Sequence, residues 1–225
     1  MIDLICKYEI LCREATFFGM KKMSMKVLIF LYHGCAEFEV TVACWQIAES
    51  EDYDIVTIAN EKSSISTNSG FTIIPDKIVS EIQITDNIAG LIIPGGSLLD
   101  LCDELRSLIQ NLDNQNKLLA AICAGPQYFA AANVIGTRNF TTSRTPKRYI
   151  EIKQPDPFNW NQFLDKRVVV DENLITAKGY AYSDFAIEIW DYLGIIKSKE
   201  EKEERQRQML SQTYTIKKVD ENKHE

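Results

Sequence analysis

The sequence predicts an α/β domain, a three-layer sandwich around a mostly parallel sheet. Three observations carry that expectation. Short runs nearly continuous in Val, Ile and Leu recur along the chain, as strands covered on both faces require. Longer amphipathic segments alternate with them. The composition, 45% hydrophobic and 25% charged over 225 residues, is that of a globular chain able to bury a sizeable core.

Taken in order, the first strand covers 26–32 (KVLIFLY) and leads into a helix over about 37–49. DIVTIA (54–59) is the second strand. SSISTNSGFTIIPDK (63–77) reads as a small hairpin turning at Asn68, Ser69 and Gly70. After AGLIIP (89–94), the residues Leu98, Leu101, Leu105, Leu108, Ile109 and Leu112 recur at spacings of three and four, one face of a helix. KLLAAI (117–122) is a further strand, followed by a helix over 124–134. Residues 137–163 are irregular, with Pro146, Pro155 and Pro157 and a short helix near 146–152. RVVV (167–170) and LITA (174–177) precede the last core helix, 183–193, which buries Phe185, Ile189, Trp190 and Leu193.

The domain is thus expected to span 25–195. Beyond it, KSKEEKEERQRQMLSQ reads as a solvated helix with i,i+4 pairs Glu201–Arg205 and Glu203–Arg207, and residues 196–225 form a charged helix and tail. Residues 1–24 are expected to be an extension, since Met20, Met23 and Met25 stand just ahead of the first strand; an extra docked helix is the other reading. Asp3, Glu9 and Glu14 interrupt its apolar residues, which fits neither a secretion signal nor a membrane span.

Charge and residue counts narrow the function. With 25 Lys+Arg against 32 Asp+Glu the net charge is −7, so the average surface repels a phosphate backbone and no nucleic-acid partner is expected. The six cysteines are unevenly spaced in a chain too large to need disulfide staples, which points to reduced thiols and a cytoplasmic location. Only two histidines exist, His33 and His224. CxxC, HExxH, GxxxxGK[ST] and GxGxxG motifs are missing, so neither a metal nor a nucleotide cofactor is expected.

Ligands of open parallel sheets bind at the carboxyl ends of the strands, and three such ends stand out. AAICAGP has the small-x-nucleophile-x-small form of a tight strand-to-helix turn: Ala121 and Gly125 permit the turn, and Cys123 is presented at a helix N-terminus. Backbone amides and the helix dipole there are expected to lower the thiol pKa. Gly95 and Gly96 follow the LIIP strand, where a backbone N–H, with that of Ala124, would form an oxyanion site worth about 3 kcal/mol in a transition state. Glu37 and Glu39 follow the first strand, and one of them is expected to point to the sulfur, where a like charge would raise its pKa, keep it protonated and let it donate a hydrogen bond to sulfur as acid or base.

These segments, GCAEFE, IIPGG, AAICAGP, TTSR (141–144) and ITAKGYAYSDFA, in this order, resemble the PfpI family of the class I glutamine amidotransferase-like superfamily, a family that includes a parkinsonism-associated deglycase. The resemblance covers about 25–195 and implies a flavodoxin-like fold, Cys123 as reactive cysteine, Glu39 as its carboxyl partner, and Gly96 and Ala124 at the oxyanion site. It further implies a small-molecule carbonyl substrate, glyoxalase, deglycase or related hydrolase chemistry, and a homodimer. The strand from Lys26 is expected to lie beside the one ending at Ile122, so that carboxyl and thiol meet. Family members with a catalytic histidine carry it in a segment like TTH, where this chain has Ser143. A Cys-His-Glu amidotransferase or Cys-His protease is therefore disfavoured, with Ser143 and Arg144 left to orient a substrate. The alternative is a redox-responsive stress or chaperone-like protein whose Cys123 oxidises to a sulfinate held by Glu39.

Overall fold

The apolar runs form strands because each finds neighbours on both edges and cover on both faces. The computed structural model describes residues 24–83, 87–97 and 99–210. In chain order these form β1 (Met25–Phe30), α1 (Phe38–Glu49), β2 (Tyr53–Ala59), β3 (Ile65–Ser66), β4 (Thr72–Ile73), β5 (Lys77–Ile78), β6 (Ile88–Ile93), α2 (Asp103–Asn114), β7 (Leu118–Ile122), α3 (Pro126–Ala131), α4 (Pro146–Glu151), β8 (Val168–Asp171), β9 (Leu174–Ala177), α5 (Tyr182–Tyr192) and α6 (Lys199–Leu210). Apart from Ser24, the expected N-terminal extension lies outside the described residues, as do Leu98, His224 and the tail from 211.

Seven strands make one sheet in the order β5-β2-β1-β6-β7-β9-β8, parallel except for the β8–β9 edge hairpin. β3 and β4 form the expected separate hairpin. The central strands β6 and β7 are buried along their whole length. From β1 the chain crosses outward through α1 to β2, and from β6 it crosses the other way through α2 to β7; right-handed crossovers of opposite direction place their helices on opposite faces. α5 packs against α1 on one face, where the Trp190 indole donates to the Ala43 carbonyl at 2.9 Å. On the other, Gln110 of α2 reaches the Ala132 carbonyl just past α3 at 2.9 Å. The result is a flavodoxin-like three-layer sandwich. The gap between β1 and β6 is its topological switch point, where such sheets bind ligands.

Several boundaries differ from the sequence reading. The helix expected from Leu98 begins at Asp103, because residues 99–102 are held as a loop: the Asp100 N–H donates to the Tyr128 hydroxyl at 3.1 Å and its carbonyl accepts from Asn60 at 3.0 Å. The Cys102 sulfur then caps the helix, accepting from the Leu105 N–H at 3.4 Å. α3 is shorter than 124–134, ending at Ala131 before Asn133 turns to φ 60°. β1 is not beside β7; β6 lies between them. The charged C-terminal helix is docked rather than free, with Lys202 bridging Glu188 at 2.7 Å and Asp191 at 2.8 Å on α5. Within it Glu201–Arg205 pairs at 3.6 Å as expected, but Arg207 pairs with Glu204 at 2.7 Å, leaving Glu203 to Lys199 at 3.9 Å.

Candidate active site

β7 ends at Ile122, and the next residue makes the tight turn that the small residues around it allow. Cys123 has φ 61°, a left-handed conformation that costs a residue with a side chain about 1–3 kcal/mol and persists only where its surroundings impose it. Those surroundings are specific. The Cys123 N–H donates to the Ala177 carbonyl at 2.8 Å, continuing the β7–β9 ladder. Its carbonyl accepts from the Thr142 hydroxyl at 2.7 Å and the Ser143 N–H at 2.8 Å. Both donors come from the TTSR segment, so a stretch that looked like an irregular insertion is what holds the turn.

Glu39 lies in the first turn of α1 and is only 4% exposed. Its Oε2 accepts the Gly95 N–H at 2.7 Å, and its carboxyl is hydrogen-bonded to Cys123. Burial raises its pKa above the ordinary carboxyl value, against the lowering effect of the Gly95 and Cys123 hydrogen bonds. Glu37, two residues earlier, points away from the thiol toward the hairpin. Burial raises its pKa, but the Ser69 hydroxyl, its own backbone and Thr67 outweigh that and hold it below the ordinary value, although neither oxygen closes a hydrogen bond of good geometry. Glu39, not Glu37, is therefore the carboxyl at the sulfur.

The thiol itself departs from the expected low pKa. Burial and the neighbouring Glu39 carboxylate push Cys123 up to about 11, and the hydrogen bonds from Ser143 and the Ala124 N–H offset only part of this. The six-residue α3 is too short to bring a strong dipole to bear. The thiol and the carboxyl are in contact and titrate as a coupled pair.

Glycines make the meeting possible. A Cβ on Gly95 would lie 2.4 Å from Glu39 Oε2 and 2.6 Å from Cys123 Cβ. One on Gly179, which roofs the pair from the loop after β9, would lie 2.8 Å from Glu39 Oε1 and 3.0 Å from Cys123 Sγ.

The remaining expected residues sort differently. Gly95 has its N–H committed to Glu39, so it positions the carboxyl instead of offering an oxyanion donor. Gly96 and Ala124 stand at the adjoining strand ends. Ser143 lies beside the sulfur, its hydroxyl accepting the Gly179 N–H at 2.9 Å. Arg144, 9% exposed, clamps the loop after β6, its Nη2 donating to the Ser97 carbonyl at 2.9 Å and the Gly96 carbonyl at 3.2 Å. His33 is exposed, with Nδ1 accepting the Ser66 N–H at 3.2 Å. Tyr32, Thr142 and Gly179 were not singled out in the sequence. Tyr32 braces the same loop through the Pro94 carbonyl at 3.1 Å, and nothing in its local pattern signals that role. Among the described residues no group of three His, Cys, Asp or Glu side chains is placed to hold a metal ion.

Residues 25–191 match the model of a known family, described as the DJ-1/PfpI family. The chain belongs to the DJ-1/PfpI family. It is 26% identical over 157 residues to Deglycase TK1284 of Thermococcus kodakarensis, covering 68% of this chain and 90% of that protein. It is 27% identical over 177 residues to Protein dj-1beta of Drosophila melanogaster, covering 76% of this chain and 90% of the relative. In fold it is similar to the DJ-1 superfamily protein Atu0886 of Agrobacterium tumefaciens, with a TM-score of 0.68 at 22% identity over 81% of this chain and 96% of that one. No helix among the described residues is long and apolar enough to cross a membrane.

Proposed function

We propose that this DJ-1/PfpI protein is a cysteine-dependent enzyme acting on small carbonyl electrophiles, in the manner of a glyoxalase, deglycase or related hydrolase. Deglycase names among its relatives support the class. One observation carries the reading: a cysteine forced into a left-handed turn with a buried carboxyl hydrogen-bonded to it. In the first step Cys123 sulfur bonds to the carbonyl carbon and the π pair moves to oxygen. The thiol proton passes to the Glu39 carboxylate and from there to the new alkoxide, leaving a hemithioacetal. Gly96 and Ala124 line the oxygen's side of the site, Ser143 stands at the sulfur and Arg144 keeps the loop in place. The homodimer implied by the family resemblance belongs to the same proposal.

The redox-responsive reading uses the same two residues but needs a thiolate at rest. Turnover of methylglyoxal by the purified protein, set beside Cys123→Ser, tests the choice. Consumption lost in the variant supports the enzyme, and consumption equal in both rejects it.

A further inference from the structure

Besides Glu39, the Ser143 hydroxyl is hydrogen-bonded to the Cys123 sulfur. Its geometry is set on every side. The backbone N–H of Ser143 is bound to the Cys123 carbonyl at 2.8 Å, which fixes where the side chain starts. Its Oγ accepts the N–H of Gly179 at 2.9 Å. Gly179 in turn sits so close over the sulfur that its own Cβ would be 3.0 Å from Sγ. A hydroxyl has one proton and two lone pairs. With Gly179 donating to the oxygen, the Ser143 proton is free to turn to Cys123.

We propose that Ser143 is a positioning residue for the Cys123 sulfur, a neutral donor whose O–H is aimed at Sγ by the Gly179 N–H and stabilises the sulfur as it gains negative charge. The inference rests on the enzyme reading above, but its readout is the thiol and not turnover. A hydroxyl does not titrate in the working range, so the reactivity of Cys123 is expected to follow the thiol and Glu39 alone. Glu39 approaches from α1 and Tyr32 from the end of β1. Burial holds the Tyr32 phenol protonated far above neutral pH. The cations of the flanking loops are engaged elsewhere, Arg144 on the Gly96 and Ser97 carbonyls and Lys178 on Asp165 at 2.9 Å. Ser143 lowers the Cys123 pKa, which agrees with the geometry.

The test is alkylation of the full-length protein by iodoacetamide across pH, read by peptide mapping as the ratio of Cys123 to Cys102 labelling, with Cys102 as an internal reference remote from Ser143. A hydrogen bond to a charged group corresponds to about one pH unit or more, so Ser143→Ala should lower the ratio roughly tenfold at pH 8. Ser143→Thr, which keeps the hydroxyl, should restore it. An alanine profile that superimposes on the wild type overturns the proposal. Should the alanine variant fail to fold, Ser143→His carries the test: a titrating ring at the sulfur should add an inflection between about pH 6 and 8. An unchanged profile in that variant overturns the proposal equally. Methylglyoxal turnover measured on the same samples separates the two ideas, since loss of the enzyme reading would leave the labelling ratio unaffected.

Discussion

Glu39 and Cys123 meet across a strand that separates their own. β6 lies between β1, which leads to Glu39, and β7, which ends at Cys123. They touch because Gly95 stands two residues past the end of β6: its N–H holds Glu39 Oε2 at 2.7 Å, and the space its side chain would fill is occupied by the carboxyl and by Cys123 Cβ. The glycine serves as donor and gap at once.

Gly95→Ala should therefore separate the pair. An added Cβ would meet the buried Glu39 carboxyl and the Cys123 side chain well inside contact distance, and overpacking of this kind typically costs about 1–3 kcal/mol. Chemical denaturation should show that loss, and any carbonyl turnover should fall with it. Wild-type stability and activity in the alanine variant would show that the close contacts relax freely.

Glu39 also carries a pH signature in stability. Its folded-state pKa is raised by burial. A carboxyl of this kind stabilises the fold when protonated, fully below the unfolded-state value, and that contribution is lost as pH rises through the folded value. Glu39→Gln removes the titration, so its melting temperature relative to wild type should be higher at pH 8 than at pH 4. Calorimetry at the two pH values reads the sign directly; a difference independent of pH would contradict the raised pKa.

The docked C-terminal helix yields a third expectation. α6 is anchored on α5 through Lys202, with side-chain exposure of 22%, and its two carboxylates. Lys202→Ala should cost only about 0.5–1 kcal/mol globally. It should nevertheless raise amide exchange within 199–210 while leaving β6 and β7 protected. Uniform exchange across the chain would mean that α6 is integral to the core.

How much of this was legible follows from the range of the forces involved. Periodicity is local, so the strands, the last core helix and the hairpin could be read from adjacent residues. The turn at Cys123 was legible for the same reason, since Ala121 and Gly125 flank it in sequence. Strand order is nonlocal: nothing near Lys26 or Ile122 says that β6 comes between them. The start of α2 was misplaced because Leu98 and Leu101 fit a helical stripe, whereas Asn60 and Tyr128, distant in sequence, bind Asp100 and hold the loop open. The sequence points to a low thiol pKa and the structure to a raised one, because a helix N-terminus is visible in sequence and the burial that outweighs it is not. The docking of α6 was hidden likewise, because Lys202 reads as one charge among many.

The central claim is that Cys123 and Glu39 share one proton and use it in attack on a carbonyl. Glu39→Gln tests this by moving two quantities in opposite directions. The variant keeps an oxygen for the Gly95 N–H but removes the charge that raises the thiol pKa. Iodoacetamide labelling of Cys123 at pH 8, relative to Cys102, should therefore speed up, while methylglyoxal turnover should fall by about 10²–10⁴ for loss of the proton acceptor. Labelling that slows, or turnover that survives alongside faster labelling, would contradict it.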